Sequence, residues 1–186
     1  MDPAPNRSMA SRWFLIVRNG SCPECGLVAT SLAEGDLGVA IIAEAALWGE
    51  LLARLSEAPS LRVRPAPGVW SPMEYAGHVR DTLTLFADRI QTAIEIENPR
   101  FEYQDQEAAV IDRRYNDQDP REVAATIYAN AERFAQVLDA LPSDAWKRGG
   151  TRLEDESFDI ALLARFALHE AHHHRLDAEH SARANG

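Results

Sequence analysis

At 186 residues, with 46% hydrophobic and 26% charged content, the chain suits one well-cored globular domain and is short for two. Its 29 acidic and 19 basic residues give a formal net charge of -10, which argues against a protein that grips nucleic acid through surplus Lys and Arg. The apolar run Trp13 to Val17 is too short for a signal-peptide core or a membrane span, so neither nucleic acid nor membrane is expected as a partner and the expected location is cytoplasmic.

Residues 1–30 read as a flexible extension ahead of a domain spanning residues 31–182. The proline-bearing stretch Asp2 to Ser8 cannot bury enough apolar surface to order itself. Trp13 to Val17, followed by Asn19-Gly20, reads as a strand and turn or as an irregular lead-in. Next comes Cys22-Pro23-Glu24-Cys25-Gly26, which holds both cysteines of the chain. Two adjacent cysteines do not make a disulfide framework.

Helical periodicity predicts a first long helix from about Asp36 to Ser56, with Leu37, Ile41, Ala45, Trp48, Leu52 and Leu55 on one stripe. Gly38 and Gly49 weaken it, by roughly 1 kcal/mol each against Ala in an exposed helix interior. After the break at Pro59, Pro65, Pro67 and Gly68, Ser71-Pro72-Met73-Glu74 forms a capping box with proline at the first helical position. That helix should reach about Glu95, with Tyr75, Val79, Thr82, Phe86 and Ile90 along a stripe and His78 beside it. The polar connector Phe101 to Gln118 holds a short helix around Gln106 to Tyr115. Asp119-Pro120-Arg121-Glu122 repeats the cap logic for a third long helix, whose apolar face is Val123, Ile127, Ala131, Phe134 and Leu138. Leu141-Pro142 stops it. Beyond a turn-rich link containing Gly149-Gly150, a fourth helix runs from near Ser157 to about Ser181. Its stripe is Phe158, Leu162, Phe166, His169, His173 and Leu176. No run of alternating strands is evident. The pattern predicts an all-α, antiparallel four-helix bundle with a short irregular N-terminal extension.

Five of the six histidines lie between His169 and His180. His169 and His173 are one helical turn apart and share the inward stripe. Two buried imidazoles without partners waste polar groups, and two charged ones repel; a shared metal ion resolves both. A third ligand is needed, and His78, near the inward side of the second helix, is the histidine outside the tail. The expected metal set is therefore His78, His169 and His173, with Asp81 and Glu170 as carboxylates able to orient an imidazole. His172 and His174 point to other faces and read as rim residues; His180 lies near the chain end.

His169-Glu170-Ala171-His172-His173 is also a literal HExxH, the zinc-protease signature. The glycine and third histidine of the longer metzincin form are Leu176 and Glu179 here, and no strand edge is evident to hold a peptide. The protease reading fails.

The motif Trp70-Ser71-Pro72-Met73-Glu74-Tyr75-Ala76-Gly77-His78, followed by Arg80-Asp81, together with His169-Glu170-Ala171-His172-His173, resembles the DinB-like superfamily over about Leu37 to His180. It is closest to a subgroup with a CPxCG element and an Arg113 to Asn116 motif. The resemblance implies a four-helix bundle holding a divalent metal, zinc or nickel, on residues matching His78, His169 and His173. The superfamily includes mycothiol-dependent maleylpyruvate isomerase and bacillithiol transferases. The resemblance thus implies a thiol S-transferase or isomerase that uses a low-molecular-weight thiol such as mycothiol on a small electrophilic molecule. The alternative is a non-catalytic metal-binding or stress-related bundle. A homodimer is an arrangement such bundles adopt, with no interface marked in the sequence.

Cys22 and Cys25 have the spacing of half a zinc knuckle, and no second cysteine pair completes it. Three readings stand: a degenerate structural element, a redox or second metal-binding pair completed by a histidine or a second subunit, and a catalytic role. His174 or His180 would approach the pair if the first and fourth helices run antiparallel.

Overall fold

In the computed structural model the described residues are 7–153 and 156–185. Helix α1 (Arg7–Asn19) leads through the cysteine turn and two short 3-10 turns into α2 (Leu37–Leu55). Then follow α3 (Pro72–Glu95), the short α4 (Gln106–Asp112) and α5 (Pro120–Asp139). Strands β1 (Gly149–Arg152) and β2 (Glu156–Asp159) pair antiparallel, and α6 (Ile160–Ala184) follows. The bundle is built from α2, α3, α5 and α6.

The local signals explain the boundaries. Ser71 Oγ accepts the Glu74 backbone N–H at 3.2 Å while Glu74 Oε2 accepts that of Ser71 at 2.8 Å, so both free donors at the start of α3 are satisfied. Asp119 caps α5 and Asp159 caps α6, each accepting a backbone N–H at 2.7 Å. Gly38, which weakens α2 as an isolated helix, is buried against α5: a Cβ there would stand 3.1 Å from Ala135 Cβ. The glycine allows the two backbones to approach.

Both α2 and α3 pack on α5 and on α6, so α2 sits diagonally across the bundle from α3, and α5 from α6. Gly38 near the start of α2 meets Ala135 late in α5, and Arg62 beyond α2 reaches the carbonyls of Asn116 and Gln118 ahead of α5; this pair is antiparallel. So is α3 with α6, through Trp70 to Ser181, His78 to Glu170 and Phe86 to Phe166. By contrast α3 and α5 run parallel, Arg80 meeting Asn130 and Asp88 meeting Arg133. Likewise α2 and α6 run parallel, Leu32 meeting Arg165 and Glu44 meeting Arg175. The connector between α3 and α5 therefore returns the chain along the bundle.

Two expectations differ. Trp13 to Val17, expected with Asn19-Gly20 as a strand and turn or an irregular lead-in, lie in α1. Phe14 and Val17 are three apart and both buried, with Phe14 against Phe158 at 4.8 Å between ring centroids; a five-residue apolar run alone does not distinguish strand from helix. The stretch of the proline-bearing tail at residues 2–6 lies outside the described residues. The link before α6 contains β1 and β2, which take Ser157 and Phe158 into a strand and move the start of α6 to Ile160. Among the described residues no helix is long and apolar enough to cross a membrane.

Candidate metal centre

Helix α6 is enclosed on three sides, and this decides where its histidines go. Toward α2, Trp48 Nε1 donates to the Ala171 carbonyl at 2.9 Å, and Glu44 meets His172 Nδ1 at 2.7 Å and Arg175 Nε at 2.9 Å. Toward α3 lie Glu170 and His174. Toward α1 and the cysteine turn lie His169 and His173. Since each residue turns about 100° around the axis, each four-residue pair owns a different face.

On the α3 face, His78 Nε2 is 3.0 Å from Glu170 Oε2, and His174 Nε2 is 3.3 Å from the same oxygen. His174 Nδ1 is 3.0 Å from Asp177 Oδ2. Burial disfavours charge on His78 and lowers its pKa despite Glu170, so the neutral ring donates its Nε2–H to the carboxylate. Burial also opposes charge on His174, but the Asp177 and Glu170 carboxylates outweigh it and raise the pKa to about 9. Burial likewise works against a charged Glu170, yet His174 and His78 hold its carboxyl well below the usual range. In the metal-free protein the α3 face thus carries an imidazolium between two carboxylates. The donor atoms of His78, Glu170 and His174 all lie within 4.8 Å of one another.

On the α1 face, donor atoms of Cys22, Cys25, His169 and His173 form a second group within the same span. Cys22 Sγ is 3.5 Å from His173 Nδ1. His169 is 1% exposed, and neither of its ring nitrogens has a hydrogen-bond partner among the described residues. Burial lowers its pKa to about 4 and also lowers that of His173, while burial pushes the Cys25 thiol up to about 12. The Trp13 indole wedges between the two groups, its centroid 4.9, 4.5 and 5.0 Å from those of His169, His173 and His174.

The structure therefore brings His169 and His173 together, with ring centroids 5.1 Å apart, but places His78 with Glu170 and His174. His174, expected at the rim, is buried; His172 is half-buried and His180 exposed. The histidines approaching the cysteine pair are His169 and His173, not His174 or His180. Of the carboxylates expected to orient an imidazole, Glu170 bridges two, whereas Asp81 is engaged by Arg80, Arg113 and Tyr115. The sequence did not reveal the grouping of Glu170 and His174 with His78. Their four-residue spacing was the available signal, masked by the equal spacing of His169 and His173.

Both groups suit a divalent ion. A buried imidazole with two unpartnered nitrogens is costly, and His174 Nε2 is also buried without an aligned hydrogen bond. Imidazole, carboxylate and thiolate are the donors zinc and similar ions take.

Beside the α3-face group lies a cavity of about 530 Å³, lined by His78, Glu170, His173, His174, Thr82, Phe86, Arg89, Arg152 and Phe166 among others. Arg89 and Arg152 are 5% and 7% exposed. Burial, reinforced by Arg152, lowers the pKa of Arg89 to about 10, and Arg152 Nη2 has no partner among the described residues. A separate cavity of about 570 Å³, lined by Arg18, Lys147, Arg148 and Arg165 among others, includes no histidine or cysteine.

The profile of the DinB superfamily matches residues 43–178. By structure, the chain is similar to YfiT from Bacillus subtilis, described as a probable metal-dependent hydrolase with an unusual four-helix bundle topology. The TM-score is 0.70 at 18% identity, covering 80% of this chain and 86% of that one. No curated protein matches the sequence.

Proposed function

Since the chain belongs to the DinB superfamily, we propose that it is a metal-dependent enzyme joining a small thiol to a small electrophile in the cavity beside His78, Glu170 and His174. The observation that carries this reading is the coincidence of those three donor sets, within 4.8 Å of one another, with the wall of one cavity. In this reading His78 and His174 supply one nitrogen each and Glu170 an oxygen. Three protein ligands leave a coordination position for a substrate atom. Held by these residues, a divalent ion would lower the pKa of a bound thiol and so make the thiolate available at neutral pH.

The chain's own residues do the rest. Asp177 at His174 Nδ1 fixes the direction of that ring. Arg89 and Arg152 give the cavity a cationic wall, which suits an electrophile or a thiol bearing a carboxylate. Phe86 and Phe166, stacked at 5.4 Å, make an apolar side that excludes water. In the transfer, sulfur bonds to the electrophilic carbon, the thiol proton leaves to solvent, and the displaced group departs with the bonding electron pair.

The test is a screen of metal-loaded protein with thiols, including mycothiol and bacillithiol, against carboxylate-bearing electrophiles, with ester and amide substrates in parallel. Thiol-dependent turnover lost in His174→Ala is expected. Turnover of the esters without any thiol would mean that water is the nucleophile and the protein a hydrolase, the activity class given for YfiT. No turnover in either arm would favour a non-catalytic metal-binding bundle, a reading for which the four-donor cluster on the α1 face also speaks.

A further inference from the structure

The open group beside the cavity leaves the cysteine pair unexplained. Cys22 is buried and Cys25 partly so, and both are free thiols. Their turn is tightly built. Gly26 N–H donates to the Cys22 carbonyl at 2.8 Å and Cys22 N–H to the Leu27 carbonyl at 2.9 Å. Gly26 has φ +75, a conformation glycine adopts without strain. The Leu27 backbone N–H is directed at the Cys25 sulfur. A turn that aims two sulfurs to one side and offers N–H groups to them is the shape of a zinc knuckle. What such a knuckle lacks is its second pair of donors.

Helix α6 supplies that pair. We infer that Cys22, Cys25, His169 and His173 bind one tetrahedral zinc ion, a closed site separate from the open group of His78, Glu170 and His174. Four donor atoms, one from each residue, lie within 4.8 Å of one another. Tetrahedral coordination with Zn–N and Zn–S bonds of about 2.0 to 2.3 Å puts neighbouring donors about 3.3 to 3.8 Å apart. The 3.5 Å from Cys22 Sγ to His173 Nδ1 already has that spacing. The other nitrogen of the same ring, Nε2, faces Glu24 at 3.5 Å and Asp177 at 3.4 Å. A ligating histidine characteristically turns its second nitrogen to a carboxylate, which sets the tautomer and strengthens the donor. His169 makes the independent case: it is 1% exposed, packed edge-on against Trp13, and both ring nitrogens are without a partner among the described residues. An ion at the centre of the group gives one of them a bond. Binding releases the two thiol protons to solvent and leaves both imidazoles neutral. With four protein donors no position remains for substrate, so the site fastens the N-terminal segment to α6 and is not a second reaction centre.

The inference does not rest on the transferase reading, and metal content separates the two. Protein purified without chelators is analysed for zinc, then reloaded with cobalt and examined by absorption spectroscopy. Wild type is expected to show a thiolate-to-cobalt charge-transfer band with tetrahedral d–d bands, and its two thiols to resist a thiol reagent until zinc is removed. Cys22→Ser/Cys25→Ser and His169→Ala should each lose the charge-transfer band and one equivalent of zinc. His78→Ala should keep the band. The wild-type spectrum and thiol protection require no variant to fold. Cobalt bound without a sulfur charge-transfer band, full zinc in the folded double-serine variant, or a Cys22–Cys25 disulfide in wild type would each overturn the inference.

Discussion

His78 Nε2 and Glu170 Oε2 face each other at 3.0 Å across the seam between α3 and α6, both residues almost fully withdrawn from water. Around that contact the bundle has concentrated charge it cannot solvate. His174 and Asp177 extend the chain of partners.

Removing the bridging carboxylate should therefore cost stability before it affects any chemistry. Glu170→Ala leaves His78 Nε2 with the Thr82 hydroxyl at 3.3 Å in place of a carboxylate, and His174 with Asp177. A loss of about 3–5 kcal/mol is expected, the usual cost of breaking a buried charge pair from one side. Urea unfolding of metal-free protein measures it. A loss under about 1 kcal/mol would mean that water replaces the carboxylate at little cost.

Metal should act in the opposite direction. Zinc at 100 times its Kd should add about 2.7 kcal/mol to apparent stability, provided the unfolded chain binds none. The increment should shrink as pH falls, since protons compete for imidazole and thiolate donors. Calorimetric scans with and without a chelator at several pH values test both statements. Equal melting temperatures at neutral pH would argue against a resident ion.

Trp48 is fully buried, and its indole N–H is spent on the Ala171 carbonyl at 2.9 Å, holding α2 to α6. Trp48→Phe keeps an aromatic ring there but loses this tie, while the carbonyl, inside α6, keeps its helical N–H donor. The expected cost is about 0.5–1.5 kcal/mol for the lost hydrogen bond, read by chemical denaturation with the slope unchanged.

Gly77→Ala sets two effects against each other. Alanine favours an exposed helix interior by about 1 kcal/mol, but its Cβ would lie 2.5 Å from the Tyr115 ring. That ring is held in place by its own hydroxyl, which donates to Asp81 at 2.7 Å. Steric displacement should win, for a net loss of about 1–3 kcal/mol. Gain of stability would mean that Tyr115 can swing aside freely.

Asp81 supplies a pH prediction. Burial opposes its charge, but hydrogen bonds from Arg80, Tyr115 and Arg113 outweigh that and lower its pKa below the ordinary value of 3.8. A depressed carboxylate stabilises the fold above its unfolded pKa and loses that contribution as pH falls through the folded value. Wild type should therefore exceed Asp81→Asn in melting temperature at pH 6, with the gap closing below about pH 4. A gap constant across that range would remove Asp81 from the acid response.

Much of this could be read along the chain because it depended on local spacing. The capping box at Ser71 and Glu74 and the stripe Leu37, Ile41, Ala45, Trp48 and Leu52 follow from contacts within a few residues, and the structure repeats them. The distribution of the α6 histidines did not, because a single apolar stripe assumes one buried face. Three are buried here. The covering of His169 and His173 by α1 and the cysteine turn is a long-range fact, invisible to periodicity. So are the parallel pairings within the bundle, which rest on where the connector between α3 and α5 lands. The short strands failed for another reason: four residues each, paired with one another and with Arg152 and Glu156 buried as an ion pair, they present no clean alternation of apolar and polar positions.

Cys22 and His173 touch although 151 positions separate them. During synthesis the cysteine turn is therefore made well before the α6 histidines that it meets. Until then the two thiols have each other but neither histidine. Any ion shared by the cysteine turn and α6 can therefore be held by all four donors only once both segments have been made and brought together.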